Sequence, residues 1–327
     1  MRKPRILVVG SVNMDYTFAG GRFPSEGETV MGDSFSTAAG GKGANQACQA
    51  ARAGALVDFV GRTGADLNGA ELMKCLNAMG IDTSMVITDP DDTTGCALIE
   101  LEKRPDGTRN RIMVVPGAQM HFRAEELEFL RDRIGLYDMV LLQLEINSEA
   151  NAAVAQMAHK AGVPVMLNPA PYSRIESSVL EKISYISPNE HESAEMTGIA
   201  ITDLKTAEEA ARAISAMGPK YVLITLGENG AVFFDGNEII HCGCVKTEAV
   251  DPTAAGDSFV GAFCTAVSAG MEVRNALTFA SHAASITVSG YGAQPSIPDI
   301  SRIAESIRKH CSDTDEEVLK VLSGGDK

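Results

Sequence analysis

Asp251 and Asp257 bracket the small residues Pro252-Thr253-Ala254-Ala255-Gly256, and the chain then enters the apolar stretch Ser258-Phe259-Val260-Gly261-Ala262-Phe263, which reads as a helix. The first N–H groups of a helix lack partners inside it, so several of them converge on one point and form an anion site. An acid at the mouth of such a site repels phosphate unless it handles a proton or a metal there. The arrangement predicts a phosphoryl-transfer centre.

A second glycine-rich loop, Gly40-Gly41-Lys42-Gly43-Ala44-Asn45-Gln46-Ala47, leads into helix-compatible residues that continue to Ala53. It is not a Walker A loop, because Gly43 follows Lys42 where Ser or Thr is required, and no G-x-G-x-x-G dinucleotide motif occurs. Taken alone, it fits a tight turn with close packing as well as a ligand cradle. Polar residues also follow several apolar runs, and in open α/β sheets ligands gather outside the carboxyl ends of strands. Asn13 and Asp15 follow the run 6–9, Glu145 the run 139–142, Asn168 the run 165–167, and Asn189 and Glu192 come after Ile186. Thr225, Gly227 and Gly230 close the run that begins at Tyr221. Each has an everyday alternative, since helix caps and turns use the same residue types. The six histidines show neither nucleophile pairing nor metal spacing, and Cys242-Gly243-Cys244 has no second ligand pair, so a hydrolase or a zinc site is disfavoured.

These residues need a scaffold of alternating strands and helices, and the periodicity supplies one. Strands are expected near 6–9, 85–87, 139–144, 164–167 and 221–226, with helices near 69–79, 124–133, 148–160, 190–197, 204–217, 255–269, 274–288 and 299–309. That alternation predicts an α/β fold with a doubly wound, mainly parallel sheet flanked by helices. Two β-rich pieces stand apart: 17–37, containing Thr29-Val30-Met31, and 94–115, a hairpin around Pro105-Asp106-Gly107. Together they predict a small separate sheet. No linker divides the chain, so residues 1–311 are expected to form one domain and the polar segment 312–327 a frayed tail.

With 327 residues, 45% hydrophobic and 22% charged, the chain can bury a sizeable core. Its 28 Lys+Arg against 43 Asp+Glu give a net charge of −15, which disfavours nucleic acid and anionic membrane surfaces as partners. Anionic ligands must therefore be held locally. Seven scattered cysteines fit a reducing compartment, and no apolar run approaches the roughly 20 residues of a spanning helix, so a cytoplasmic location is expected.

With both glycine-rich loops in place, the chain resembles the PfkB carbohydrate kinase family, in particular its ribokinase branch, over nearly its whole length. Residues 40–47 are similar to the family's N-terminal signature and 251–259 to its C-terminal one. Ordered matches lie at Arg22-Phe23-Pro24, Gly27-Glu28-Thr29-Val30, Gln143-Leu144-Glu145, Leu167-Asn168-Pro169-Ala170-Pro171, Pro188-Asn189-Glu190, Thr225-Leu226-Gly227 and Gly292-Ala293-Gln294-Pro295-Ser296. The resemblance implies that the small sheet is a lid over a sugar and a homodimer contact. It implies that Asn13, Asp15, Gly41, Lys42, Asn45 and Glu145 hold sugar hydroxyls. Asn189, Thr225, Gly227, Gly230 and Ser281, with Ala255 and Gly256, would serve ATP, and Asn189 with Glu192 the Mg²⁺. Asp251, Thr253, Thr287, Gly290, Gly292 and Ser296 match a loop for a monovalent cation such as K⁺; Pro252 stands there where the family has threonine.

The expected activity is ATP-dependent phosphorylation of the 5-hydroxyl of D-ribose. Asp257 would accept the hydroxyl proton, and the backbone of Ala254, Ala255 and Gly256 would receive the phosphoryl charge. The alternatives are a family kinase acting on deoxyribose, a nucleoside or a hexose, and a non-catalytic sugar-binding regulator.

Overall fold

The computed structural model describes residues 3–104 and 107–310; the tail expected at 312–327 and the turn residues 105 and 106 lie outside the described residues. Strand β1 is Arg5–Val9, β2 Asn13–Gly20 and β3 Ser34–Gly40, after which helix α1 runs Lys42–Arg52. There follow β4 Leu56–Val60, β5 Arg62–Gly64, α2 Leu67–Ala78, β6 Ile87–Asp89, β7 Cys96–Arg104 and β8 Gly107–Val115. The second half carries β9 Met139–Gln143, α3 Ser148–Ala161, β10 Val165–Asn168, α4 Ser177–Leu180, β11 Tyr185–Ile186, α5 Glu190–Thr197 and α6 Leu204–Ser215. It ends with β12 Tyr221–Thr225, β13 Ala231–Phe234, β14 Ile239–Cys242, α7 Ala255–Ser268, α8 Val273–Val288, α9 Ala293–Ser296 and α10 Ile300–His310.

Eight strands form the main sheet in the order β14-β13-β12-β11-β10-β9-β1-β4, parallel except where β13 meets β12 and β14. The short apolar strands are buried on both faces, as parallel sheets covered by helices require. Alternation divides them cleanly. Ile6, Val8, Met139 and Leu141 pack on the side of α1, α7 and α8, whereas Leu7, Val9, Val140 and Leu142 pack on the side of α3 and α6. Strand β1 lies between β4 and β9, so the chain leaves it in opposite directions, and the crevice at its carboxyl end is where such sheets bind ligands.

A second sheet, β3-β2-β7-β8, carries the expected lid. It begins at Asn13 rather than near residue 17, and Thr29-Val30-Met31 belongs to no strand, with Met31 92% exposed. The polar, glycine-punctuated stretch 21–33 offers too few apolar residues to hold a strand there. The hairpin pairs as expected, with Cys96 opposite Val115 and Arg104 opposite Gly107. Across the sheet Ala38, Asp15, Ala97 and Val114 share one row and therefore one face.

Three expectations change. The strand near 85–87 is Ile87–Asp89, which pairs with Arg62–Gly64 in a separate two-stranded ladder instead of joining the main sheet. The helix expected at 124–133 is a pair of 3₁₀ segments, Ala124–Leu130 and Ile134–Leu136, because buried Leu127 and Leu130 recur at a spacing of three. Strands β4, β13 and β14 were not anticipated.

Helix α1 approaches the sheet and α7 more closely than side chains normally allow. Gly41 caps α1 with φ 92°, and a Cβ there would lie 2.7 Å from Val12 Cα and 2.8 Å from the Asn13 nitrogen. On α7, a Cβ at Gly261 would lie 2.6 Å from the Gln46 carbonyl oxygen. We expect Gly261→Ala to force the helices apart, costing about 1–3 kcal/mol of stability. A lower urea midpoint at unchanged m-value checks this; an unaltered midpoint contradicts the tight contact.

Candidate active site

The carboxylate of Asp257, 6% exposed in the first turn of α7, is held by two amides of α1. Asn45 Nδ2 donates to Oδ2 at 3.0 Å and Gln46 Nε2 to Oδ1 at 3.1 Å. A chain of fixed polarities sets these amides. The Ser187 carbonyl can only accept, so Asn168 turns Nδ2 to it at 2.7 Å and Oδ1 toward Gln46 Nε2 at 3.1 Å. Gln46 Oε1 in turn accepts from Gln143 Nε2 at 2.7 Å. Asn45 Oδ1 remains buried with no donor among the described residues, which leaves it free for a ligand hydroxyl.

A second group forms where β1 and β9 end. Glu145 Oε2 accepts the Ser11 hydroxyl at 2.5 Å and the Lys42 N–H at 3.0 Å, and Ser11 Oγ accepts the Gly43 N–H at 3.2 Å. The carboxyl of Asp15, in the lid row with Ala38, Ala97 and Val114, has its pKa pushed up to about 7, by burial first and then by the Glu145 charge. The Lys42 ammonium is opposed by burial, yet Asp257, Glu145 and Glu192 together raise its pKa and keep it charged. Glu192 is raised as well, burial outweighing the Asn189 N–H and Lys42 that favour its ionised form.

Between these groups and α7 lies a cavity of about 190 Å³ lined by Lys42, Asn168, Ser187, Asn189, Glu192, Thr225 and residues 252 and 254–257. The entry to α7 is strained: Ala254 has φ 63°, the left-handed region that Ala seldom enters. Of the N–H groups expected to form the anion hole, that of Ala255 donates to the Pro252 carbonyl at 3.2 Å, closing a turn. In the first turn of α7 the N–H groups of Gly256 and Asp257 have no acceptor among the described residues, and they stand ready for an anion.

The remaining candidates fall in two places. Asn189 and Glu192 form a reciprocal cap on α5, each side chain taking the other's N–H at 2.9 Å, so the everyday reading of this motif holds while Glu192 also lines the cavity. Gly227 opens toward Glu190, whereas Gly230 lies flat against Cys242 and Cys244, where a Cβ would meet the Cys242 carbonyl oxygen at 2.0 Å. Ser281 lies apart from the 190 Å³ cavity, in one of about 310 Å³ beside Cys242, Gly243 and Arg274, donating to the Gly243 carbonyl at 3.1 Å.

In the expected cation loop, Asp251 Oδ1 accepts the Thr253 N–H and hydroxyl at 3.0 and 2.6 Å, and Oδ2 accepts the Gly292 N–H at 2.9 Å. Gly290 packs on Ser296, whose hydroxyl donates to the Ala293 carbonyl at 2.8 Å. Thr287 joins this gathering through its backbone, its carbonyl accepting the Gly290 N–H at 3.1 Å, while its side chain is engaged elsewhere. Helix α8 continues through it, and its hydroxyl is buried within hydrogen-bond reach of Ser258 Oγ and the Ala283 carbonyl, at 2.8 and 3.0 Å.

Ser11, Gln46, Gln143 and Gln119 carry no role that the sequence alone suggests, and Asn168 stands among the strand-end candidates with turn-making as its alternative. The available signal was an amide or hydroxyl placed at the end of an apolar strand or inside a buried helix face.

A doubly wound sheet whose crevice joins a hydroxyl-binding cluster, a lid and a helix-start anion site defines a kinase for small polyhydroxylated molecules. Residues 3–300 match the model of the pfkB family carbohydrate kinases. A ribokinase of Haemophilus influenzae is 38% identical over 91% of this chain and 96% of its own, and one of Bacillus subtilis 35% over 92% and 98%. The structure of an Arabidopsis thaliana ribokinase complexed with ribose and ATP superposes with a TM-score of 0.86 at 34% identity, covering 94% of this chain and 99% of that one. The chain belongs to the pfkB family of carbohydrate kinases, and it is a sugar kinase.

Asp15 also gives a pH dependence. Its folded-state pKa is raised, so the native state binds a proton that the unfolded state has released, and stability is lost as pH climbs from about 4 through about 7. We expect Asp15→Asn to melt higher than wild type at pH 8, with the gap closing toward pH 4, while sugar affinity falls. Equal melting temperatures at pH 8 contradict the buried charge.

Proposed function

We propose that this chain transfers the γ-phosphoryl group of ATP to the 5-hydroxyl of D-ribose, giving ribose 5-phosphate and ADP. The observation that carries the proposal is Asp257, clamped by Asn45 and Gln46 at the edge of the cavity into which the first turn of α7 opens. Asn13, Asp15, Asn45 and Glu145 hold the sugar; Asp257 orients the primary hydroxyl and takes its proton as the oxygen–phosphorus bond forms and the bond to ADP breaks. A loose transition state calls for that proton late, so positioning counts for more than basicity. The N–H groups of Gly256 and Asp257 and the Lys42 ammonium receive the equatorial phosphate charge. Asn189, Thr225 and Gly227 serve the nucleotide, and Ser281 lines the cavity proposed for its base.

Glu192 Oε1 has no protein donor among the described residues, and a single carboxylate beside the phosphates is the way Mg²⁺ is commonly held. Held there, Mg²⁺ would supply positive charge to offset that of the phosphates. Asp251 and Thr253, with Thr287, Gly290, Gly292 and Ser296 on the loop to which the Asp251 carboxylate is tied through Gly292, are proposed to hold K⁺. Phe18, Phe35, Leu98 and Met113 share the other face of the lid and are exposed, which supports a homodimer through the lid. Residues 1–311 are read as one catalytic domain working in the cytoplasm, where ATP is kept; among the described residues no helix is long and apolar enough to cross a membrane.

Two measurements check this. ADP release over a panel of ribose, 2-deoxyribose, nucleosides and hexoses, with and without K⁺, is expected to favour ribose and to rise with K⁺. Preference for another member reassigns the substrate, and sugar binding without product leaves a regulator. Asp257→Asn is expected to lower kcat by about 10²-fold or more, the scale of a positioned base, and wild-type turnover removes Asp257 from that role. For assembly, sedimentation of the paired variant Phe18→Glu and Phe35→Glu is expected to show a monomer where wild type shows a dimer; unchanged sedimentation moves the contact elsewhere.

A further inference from the structure

Gln119 belongs to none of the motifs described above. It sits in the 3₁₀ segment Gly117–His121, just after the last lid strand, and is 1% exposed. Its Oε1 accepts the N–H of Val12 at 3.1 Å, and its Nε2 donates to Oδ1 of Asn13 at 2.9 Å. A backbone N–H can only donate, so the Val12 contact decides which end of the Gln119 amide is oxygen. With Nε2 then facing Asn13, the Asn13 amide must present Oδ1 to it. Asn13 Nδ2 is thereby turned the other way.

Gly95 leaves the room in which the Asn13 oxygen meets Gln119. A Cβ at Gly95 would lie 2.2 Å from Asn13 Oδ1, 2.7 Å from the Pro116 carbonyl oxygen and 3.0 Å from Gln119 Nε2, so only glycine admits this packing. Asn13 is 4% exposed, and its Nδ2 has no acceptor among the described residues. A nearly buried N–H₂ without a partner, on the same lid face as the Asp15 carboxylate, is a place prepared for a ligand oxygen. The tie also spans the base of the lid, because Val12 leads from β1 into β2 while Gln119 follows β8.

Resting on the sugar-kinase reading, we propose that Gln119 is a positioning residue for sugar selectivity: it fixes Asn13 as a hydrogen-bond donor, so that the pocket requires a hydroxyl oxygen at that point. Asn13 donates while its neighbours Asp15 and Glu145 accept. A sugar lacking the hydroxyl that meets Asn13 strands the Nδ2 group and is rejected. Gln119 itself touches no substrate.

A double-mutant cycle tests this with the intact chain. Gln119→Met removes both contacts at similar volume and is expected to raise the KM for the sugar about tenfold, the range for one lost buried partner, leaving kcat and the KM for ATP within about twofold. In an Asn13→Ala background the same change is expected to add nothing, since there is no amide left to orient. Gln119→Glu keeps the Val12 contact, and so the fold, but offers Asn13 an acceptor; it is expected to turn the Asn13 amide over and abolish discrimination against one monodeoxy sugar. Losses that add in the cycle, an unchanged sugar KM, or equal damage to kcat and the ATP KM overturn the role of Gln119 while leaving sugar phosphorylation intact. If sugar binds without being phosphorylated, the kinase reading falls, and the same cycle run on the sugar Kd still decides for or against Gln119.

Discussion

The grip of helix α1 on the Asp257 carboxylate is the interaction on which the rest of this molecule depends. Asn45 and Gln46 come from a part of the chain 212 and 211 residues away from it, and they meet it only because α1 and α7 pack without a side chain between them at Gly261. Hydrogen bonds to a charged group contribute about 1.5–3 kcal/mol each, and an unpartnered buried carboxylate costs more than that. The same two bonds hold the two halves of the site together and aim the carboxylate. They explain why the amides behind them, Asn168 and Gln143, are themselves buried and oriented.

Charge sets the second constraint. Glu145, Glu192 and Asp257 converge around one ammonium, Lys42, and hold it charged against burial, while Asp15 stands against Glu145. Such a cluster is costly in the free protein, as the raised Asp15 and Glu192 indicate. Such a cost is the usual compromise between a stable fold and a site whose acceptors and charge are already in place. In a chain of net charge −15, the cavity at the α7 start is a local exception: free N–H groups and Lys42 attract the anion that the surface repels.

Several residues serve structure and site together. Asn189 and Glu192 cap α5 and still line the 190 Å³ cavity; Gly230 fits the turn that the Cys242–Cys244 backbone demands. The everyday reading and the functional reading of such residues are compatible, because a helix start exposes N–H groups whether or not a ligand arrives. Thr287 divides its groups, its carbonyl accepting the Gly290 N–H. Its hydroxyl is spent inside the α7–α8 contact, which no local pattern around it announces.

Composition, periodicity and glycine placement determined the doubly wound sheet, the separate lid, the anion site at residues 251–257 and most of its polar company. These features are local: a strand run, a helix start or a glycine turn is written within about ten residues. The lid boundaries, the detached β5–β6 ladder and the 3₁₀ segments were decided by packing against distant elements, which overrides weak local preference. Only the tertiary structure could decide which polar side chains face which. Gln46, Gln143, Asn168 and Gln119 look in sequence like incidental amides, and their roles arise from partners brought close by folding. Direction in those chains comes from single backbone groups, the Ser187 carbonyl and the Val12 N–H, whose polarity cannot reverse.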